Sequence, residues 1–302
     1  MDVETRELRY FVAVAEELHF GRAARQLGIA QPPLSRAIRL LERRMGVTLL
    51  ERTSRNVRLT AAGEMLLAEG RGALGAVAAA VRRTRRAAAT TPRLVLALKP
   101  GADADLLRPI LNRYAAVPDA LPVDLAFSVG ERAAMVRDGR ADLALLHRPQ
   151  NDLTGLDSDD LHVEGQVVVL PDRHPLAART AVSMADLRDE TQPRWPEARP
   201  GVTGHPITDT DHLLQLILLG RMVAVLPESV RDRLPPGTVS RPVTDAEPAT
   251  LVIAWPQAST SRQIAAFVRT AISATGAPHQ ASGLRFRAPS TPRTAGDPSL
   301  VN

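Results

Sequence analysis

Residues 20–45, FGRAARQLGIAQPPLSRAIRLLERRM, constrain the fold more tightly than any other stretch of the chain. They read as two short helices joined by a tight turn, the second opened by Pro32-Pro33. Proline fits the first turn of a helix, where its missing N–H has no intrahelical partner to lose. Ala24 and Leu27 give the first helix a buried face. Leu34, Ile38, Leu41 and Met45 fall at i, i+4, i+7 and i+11, one stripe along a helix. Ser35, Arg36, Arg39, Arg43 and Arg44 fall outside that stripe and are expected on the outer surface. A helix held from behind by apolar contacts, with hydroxyl and guanidinium groups outward, is what reading a major groove requires. The expectation is a helix-turn-helix unit that binds DNA.

The flanks agree. Leu8, Phe11, Val12, Ala15 and Leu18 form an amphipathic helix able to complete a three-helix core. Gly46 is placed to end the recognition helix. Val47–Leu50 and Asn56–Thr60 read as short strands around the polar turn Glu51–Arg55, a β-wing carrying Arg52 and Arg55. An arginine at a wing tip suits a minor groove; the alternative for Arg55 is a solvated hairpin tip. Residues 61–90 read as one alanine-rich helix. Leu67, Leu74 and Val81 recur every seven residues, with Gly70, Val77 and Thr84 between them, an a/d seam for a second copy of the chain. Gly70 and Ala73 are small enough for close approach, and Arg82, Arg83, Arg85 and Arg86 suit the helix C-terminus. Gly70–Gly75 also matches the G-x-G-x-x-G spacing of dinucleotide loops. No strand precedes it and no acidic residue follows at the distance a ribose needs, so a nucleotide site is not expected.

Charge divides the same way. Residues 1–90 hold 16 arginines against 9 acidic residues, a net of +7, while residues 91–302 carry a net of −2. Only the first third is suited to a polyanion. The 302 residues, 44% hydrophobic and 24% charged, fit about two soluble domains. No apolar run is long enough to span a bilayer, and MDVETRELRY does not read as a signal peptide. Zero cysteines exclude disulfides and thiolate metal sites, which fits the cytoplasm.

From Arg93 on, strands and helices alternate. Leu94–Leu98, Val123–Phe127 and Ala141–Leu146 read as strands, with helices at Asp105–Tyr114 and Glu131–Asp138 between them. That order builds a parallel sheet with helices on its faces. Strands follow at Gln166–Leu170, Met222–Leu226 and Thr250–Trp255, and helices at Met184–Leu187, Leu213–Leu219 and Ser261–Ser273. The segment from 276, rich in Pro, Ala, Ser and Arg, has no periodicity and reads as a disordered tail over 276–302.

Leu8-Arg9-Tyr10-Phe11-Val12-Ala13-Val14-Ala15-Glu16, Ala23-Ala24, Gln31-Pro32-Pro33-Leu34-Ser35-Arg36-Ala37-Ile38, Leu41-Glu42, Gly46-Val47, Leu49-Leu50-Glu51-Arg52 and Thr60-Ala61-Ala62-Gly63 stand in the order and spacing of one family. This segment resembles the LysR-type transcriptional regulators. The region from 93 to about 273 is similar to their effector-binding domain in element order and in two anchors, Gly139-Arg140-Ala141-Asp142 and Val223-Ala224-Val225-Leu226-Pro227. The resemblance implies an α/β protein: a winged helix-turn-helix over 1–60, a dimerisation linker helix over 61–92, and a two-subdomain effector domain, like a periplasmic binding protein, over 93–275. Subdomain I would take 93–162 plus 263–275, and subdomain II 163–262. The crossovers between them are placed near Leu161–Glu164 and Ala258–Arg262. The implied partners are promoter DNA, a small effector, further copies of the chain in dimers and tetramers, and RNA polymerase, with no membrane.

Carried over by position, Gln31, Pro32, Pro33, Ser35 and Arg36 match the family's groove-facing and phosphate-contacting residues, and Arg55 its wing arginine; Arg39 and Arg52 join this DNA-binding set. The chemistry agrees: Gln pairs with adenine edges, Ser and Arg with phosphates, and proline rings lie against thymine methyls. One position departs. Gly21 stands where the family often caps the second helix with Ser or Thr, and loss of such a cap costs about 1 kcal/mol.

For the effector, the most informative residue is Lys99, the single lysine against 37 arginines. Lys99-Pro100-Gly101 sits where the first strand of the effector domain turns toward a helix. Ligands bind at such carboxyl ends of strands, and helix N-termini favour anions. Lys99 is therefore expected to meet a negatively charged effector; the alternative is a solvent-facing loop residue. Asp103 and Asp105 would either repel that anion or pair with Lys99. Ser128, Val129, Gly130, Arg194 and Trp195 complete the expected cleft with Pro100 and Gly101, and Trp195 is either a stacking surface or core.

An enzyme is not expected. The chain has no G-x-S-x-G elbow, and the histidines at 19, 147, 162, 174, 205, 212 and 279 lack H-x-x-x-H spacing. His205 and His212, with Asp209 and Asp211 between, read as a capped helix start rather than a metal site. No cofactor, metal or catalytic residue is assigned. The alternative function is a ligand-independent DNA-binding repressor or architectural protein.

Overall fold

A computed structural model describes residues 3–52, 57–101, 103–196, 203–257 and 259–276. Three helices open the chain, α1 (Thr5–Glu17), α2 (Phe20–Gln26) and α3 (Gln31–Met45). Their apolar stripes converge, so that Phe11, Val14, Ala23, Leu34, Ile38 and Leu41 are fully buried together with Leu49. Each such Leu or Ile contributes roughly 2 kcal/mol. Gly21 does not leave α2 uncapped. His19 takes the cap position, and its Nδ1 accepts from the N–H groups of Gly21 at 3.0 Å and Arg22 at 3.3 Å. An imidazole nitrogen thus satisfies the donors a hydroxyl would have served.

The wing forms as an antiparallel pair, β1 (Leu50–Arg52) and β2 (Val57–Leu59), with Leu50 opposite Leu59. Val47 and Thr48 lie outside the first strand. Glu42 Oε1 accepts from the N–H groups of Leu49 at 3.0 Å and Leu50 at 3.1 Å, which fixes the chain's entry into the hairpin. Arg55 falls outside the described residues. The linker helix α4 (Ala61–Ala87) is capped by Thr60, whose hydroxyl accepts from Gly63 N–H at 3.0 Å and donates to the Thr48 carbonyl at 2.7 Å. Gly63 is required there, since a Cβ would stand 2.1 Å from the Leu49 carbonyl oxygen.

The seven-residue pattern of α4 divides in two. Leu67 and Leu74 pack on the core of their own N-terminal domain, and a Cβ on Gly70 would come within 2.9 Å of Leu8. Gly70 therefore makes room for α1, not for a second linker helix, and Ala73 is exposed. Met65, Val77 and Val81 remain exposed on α4. The Gly70–Gly75 run is helical throughout.

The second half runs β3 (Leu94–Leu98), α5 (Leu107–Ala115), β4 (Val123–Phe127), α6 (Arg132–Arg137), β5 (Leu143–Arg148), β6 (Leu156–Glu164), β7 (Gln166–Pro171), β8 (Pro193–Arg194), β9 (His205–Pro206), α7 (Thr210–Leu218), β10 (Ala224–Pro227), β11 (Thr238–Pro242), β12 (Ala249–Pro256) and α8 (Arg262–Thr275). One sheet has the order β4-β3-β5-β12-β6. Its β3 is parallel to β4 and β5, as the alternating pattern predicts, but β12 runs antiparallel to both β5 and β6. Helices α5 and α8 cover one face, where Tyr114 and Phe267 meet edge to face at 4.8 Å. Helix α6 covers the other, with Val136 against Ala144, Leu146 and Val252. The second sheet, β10-β7-β11, is antiparallel and packs on α7.

These pairings correct the expected subdomain boundary. The first crossover falls at Gly165, between β6 and β7, close to the expected Leu161–Glu164. The second lies between β11 and β12, at residues 243–248, and not at Ala258–Arg262. Strand β12, residues 249–256, belongs to subdomain I because it completes that sheet's hydrogen bonding. Ala258 itself, like residues 277–302 of the expected tail, lies outside the described residues.

The linker helix is clamped to the effector domain by the end of α6. Gly139, at φ +76°, meets Ala79, and a Cβ there would lie 2.6 Å from the Ala79 Cα. Arg82 donates to the Asp138 carbonyl at 2.8 Å, and Arg86 to the Gly139 carbonyl and Asp142 Oδ1, both at 2.6 Å. Asp142, buried, accepts from Val95 N–H at 2.9 Å through its other oxygen. The Gly139–Asp142 anchor is therefore the seat of the linker.

Candidate DNA-reading face and ligand cleft

At the start of α3, Gln31, Pro32 and Pro33 are exposed, Ser35 is half-buried, and Arg36 and Arg39 are exposed on the face opposite buried Leu34 and Ile38. Ala30 precedes the helix and offers no side-chain cap, so the helix opens with N–H groups and a positive dipole end suited to a phosphate. Arg39 is steadied by a 3.3 Å hydrogen bond from Nε to the Ser35 carbonyl. Arg44 is exposed as expected, and it also pairs with Glu7, itself only 6% exposed, which ties α3 to α1.

A cavity of about 480 Å³ lies between the two subdomains. Subdomain I contributes Lys99 from the end of β3, Val129, Arg132 from the start of α6, His147 from β5, and Gln150-Asn151. Subdomain II contributes Gln166 from the start of β7, Gln192, Pro193, Trp195 and the end of β10, and the second crossover brings Asp245 and Glu247. Lys99 Nζ stands 3.2 Å from the centroid of the Trp195 ring, a cation–π contact across the cleft. Arg132, 4% exposed, donates to the Leu145 carbonyl at 2.9 Å. Its Nη2 lies 3.4 Å from Asn151 Oδ1, which also accepts from His147 N–H at 2.8 Å. Burial, and then the charges of Arg132 and Lys99, hold the His147 imidazole down to about 3, so it is neutral at ordinary pH.

Three of the expected cleft residues, Lys99, Val129 and Trp195, line this cavity, and Trp195 also packs on the core of subdomain II. Five do not. Pro100 and Gly101 turn outward, and the Gly101 carbonyl accepts from Arg233 at 2.6 Å. Arg233 also pairs with Asp103 and Asp105, which clasps the loop after β3 to subdomain II and settles where those two carboxylates are spent. The Ser128 hydroxyl accepts from Glu131 N–H at 3.0 Å and helps to start α6. Gly130 packs against Pro196, where a Cβ would sit 2.4 Å from the proline ring. Arg194 is exposed on β8. Sequence reasoning missed Arg132, His147, Gln150, Asn151 and Gln192. His147 was findable, since it stands near the carboxyl end of β5 just as Lys99 follows β3; Gln192 carries no local signal.

The remaining histidine pair has a structural task. Asp209 caps α7 by accepting from His212 N–H at 2.8 Å, and this bond leads the causes that lower its pKa. Among the described residues no helix is long and apolar enough to cross a membrane.

Known proteins resemble both halves. Residues 5–64 match the model of bacterial regulatory helix-turn-helix proteins of the lysR family, and residues 87–275 match the LysR substrate binding domain. The chain is 39% identical over 195 residues to the HTH-type transcriptional regulator AlsR of Bacillus subtilis (strain 168), covering 62% of this chain and 63% of AlsR, under two thirds of that protein's length. It is 30% identical over 296 residues to the HTH-type transcriptional regulator BudR of Raoultella terrigena, covering 88% of this chain and 99% of BudR. Among solved structures, CbnR, a LysR family transcriptional regulator, has the same fold, with a TM-score of 0.56 at 22% identity over 90% of this chain and 99% of that one.

Proposed function

The chain belongs to the LysR family of transcriptional regulators, and from that premise we propose that it is a sequence-specific DNA-binding regulator whose grip on promoter DNA is set by a small anionic effector. Gln31, Pro32 and Pro33 face base edges, Ser35, Arg36 and Arg39 hold phosphates, and Arg52 and Arg55 serve the wing. Lys99 and Arg132 supply the positive end of the cleft for the effector, with Trp195 as a stacking surface. Copies of the chain associate through Met65, Val77 and Val81 of α4, exposed on one chain alone, first as dimers and then as tetramers. The protein works in the cytoplasm, at promoters, within reach of RNA polymerase.

The observation that carries this reading is helix α6. Its first residue, Arg132, enters the cavity, and the turn that follows its last, Asp138-Gly139, holds the linker helix. A ligand that prefers one arrangement of the cleft thereby shifts the linker and the spacing of the recognition helices. The test passes fragmented genomic DNA of the source organism over the full-length protein and sequences what is retained. One partly symmetric site is expected. Retention with no shared sequence contradicts the reading.

A further inference from the structure

We propose that His19 is a further DNA-contact residue: one nitrogen of its imidazole caps α2, and the other donates a hydrogen bond to a backbone phosphate beside the groove that α3 enters. This rests on the reading of α3 as the DNA-reading helix and adds a residue outside it.

The ring is committed on one side only. Nδ1 accepts from the N–H groups of Gly21 at 3.0 Å and Arg22 at 3.3 Å. A ring nitrogen that accepts carries no proton, so the neutral imidazole that makes this cap bears its hydrogen on Nε2. The cap thereby fixes the tautomer. His19 is exposed, and among the described residues its Nε2 has no hydrogen-bond partner. The cap occupies the N–H groups of Gly21 and Arg22, so the donor on offer is the ring nitrogen.

The place of the ring is fixed as well. A Cβ on Gly21 would lie 3.1 Å from His19 Cε1 and 3.7 Å from Gln31 Oε1. His19 and Gln31 therefore flank one point, and the imidazole neighbours the first side chain of the recognition helix. The 3.1 Å approach is tighter than ordinary carbon contact, so glycine at 21 leaves the imidazole its room. Arg22 is turned away, with its Nε on Glu17 Oε2 at 2.6 Å. In a helix-turn-helix the first of the two helices crosses the sugar–phosphate backbone while the second lies in the groove. His19 stands at the start of that first helix. The group it meets there is an anionic oxygen, which takes an N–H donor in a charge-assisted bond. A neutral imidazole fixes register on the duplex and releases no counterion.

Fluorescence anisotropy of the full-length protein on the DNA site recovered from genomic fragments tests this, with the phosphates of that site replaced one at a time by neutral methylphosphonate. His19→Ser and His19→Asn both keep a cap on α2, so their thermal melting should stay close to wild type. Each is expected to bind the unmodified site about tenfold more weakly, with the slope of affinity against salt unchanged. At one phosphate the methylphosphonate should cost the wild type about tenfold more than it costs either variant. Variants that bind as tightly as wild type, or that no phosphate distinguishes from it, overturn the inference and leave the reading of α3 standing. So does a loss that depends on exchanging a base pair and on no phosphate, which would mark a base-edge contact instead. If the wild type itself shows no preference for the recovered site, the DNA-reading proposal fails and this inference falls with it.

Discussion

Helix α3 carries its outward polar groups, Gln31, Ser35, Arg36 and Arg39, on one 15-residue helix with its back in the core. The cleft gathers Lys99, Arg132, His147, Gln150, Gln192 and Trp195 from separate strand ends and loops of two subdomains. The first arrangement is rigid, and in the role proposed for it each side chain would meet DNA nearly alone. The second exists only while two sheets keep their relative position, so filling it bears on that position. The division suits a regulator: a fixed reading head, and a sensor whose geometry is the variable. Between them stands the contact of Arg82 and Arg86 with the Asp138–Asp142 turn.

The sharpest way to break this division is Gly63→Val. The new side chain meets the Leu49 carbonyl, and the head should lose about 3 kcal/mol or more. Thermal melting should then show the head unfolding first, with carboxylate binding by the cleft intact; loss of both together would mean that the halves are not separable. Acid comes next in size. Native His147 titrates near 3, below its ordinary 6.5, with Arg132 and Lys99 facing it. Between those values the unfolded chain binds one proton more, so stability is full above about 6.5 and falls toward pH 3, by at most about 1.4 kcal/mol per unit. His147→Gln should flatten the decline of melting temperature between pH 7 and 4.5; parallel curves would refute the assignment.

A crossed pair of substitutions follows. Arg36→Ala should lower affinity for the selected DNA site by roughly ten- to a hundredfold and leave carboxylate titrations unchanged. Lys99→Ala should abolish the response to carboxylate and leave DNA affinity unchanged, as read by fluorescence anisotropy. Any crossing of the two effects blurs the division. Smallest is Arg233→Ala, which removes the clasp on Gly101, Asp103 and Asp105. With these side chains partly exposed, calorimetry should read at most a few-fold weaker carboxylate binding.

The same contrast explains what could be read from residues alone. The α3 stripe is a local periodicity, and Leu34, Ile38 and Leu41 are buried as it predicts. Lys99 was legible because it is the single lysine and follows a recognisable strand. Arg132 and His147 were hidden inside segments read for their apolar neighbours. Strand β6, LDSDDLHVE, escaped because Asp157, Asp159 and Asp160 disfavour a strand; it pairs with β12, and Asp160 finds Arg148. Strand β12 was recognised but given to the wrong subdomain, since pairing between distant segments leaves no mark in either one. Gln192 sits in a stretch whose position depends on both crossovers, and no pattern of period two or three to four reports it.

The most direct test of the link between cleft and reading head is hydrogen exchange on the full-length protein with and without a small carboxylate that calorimetry shows the cleft to bind. The account predicts altered protection in two separated segments, the cleft wall around residues 129–151 and the linker helix around residues 79–86. A change confined to the cleft, with the linker untouched, would contradict it.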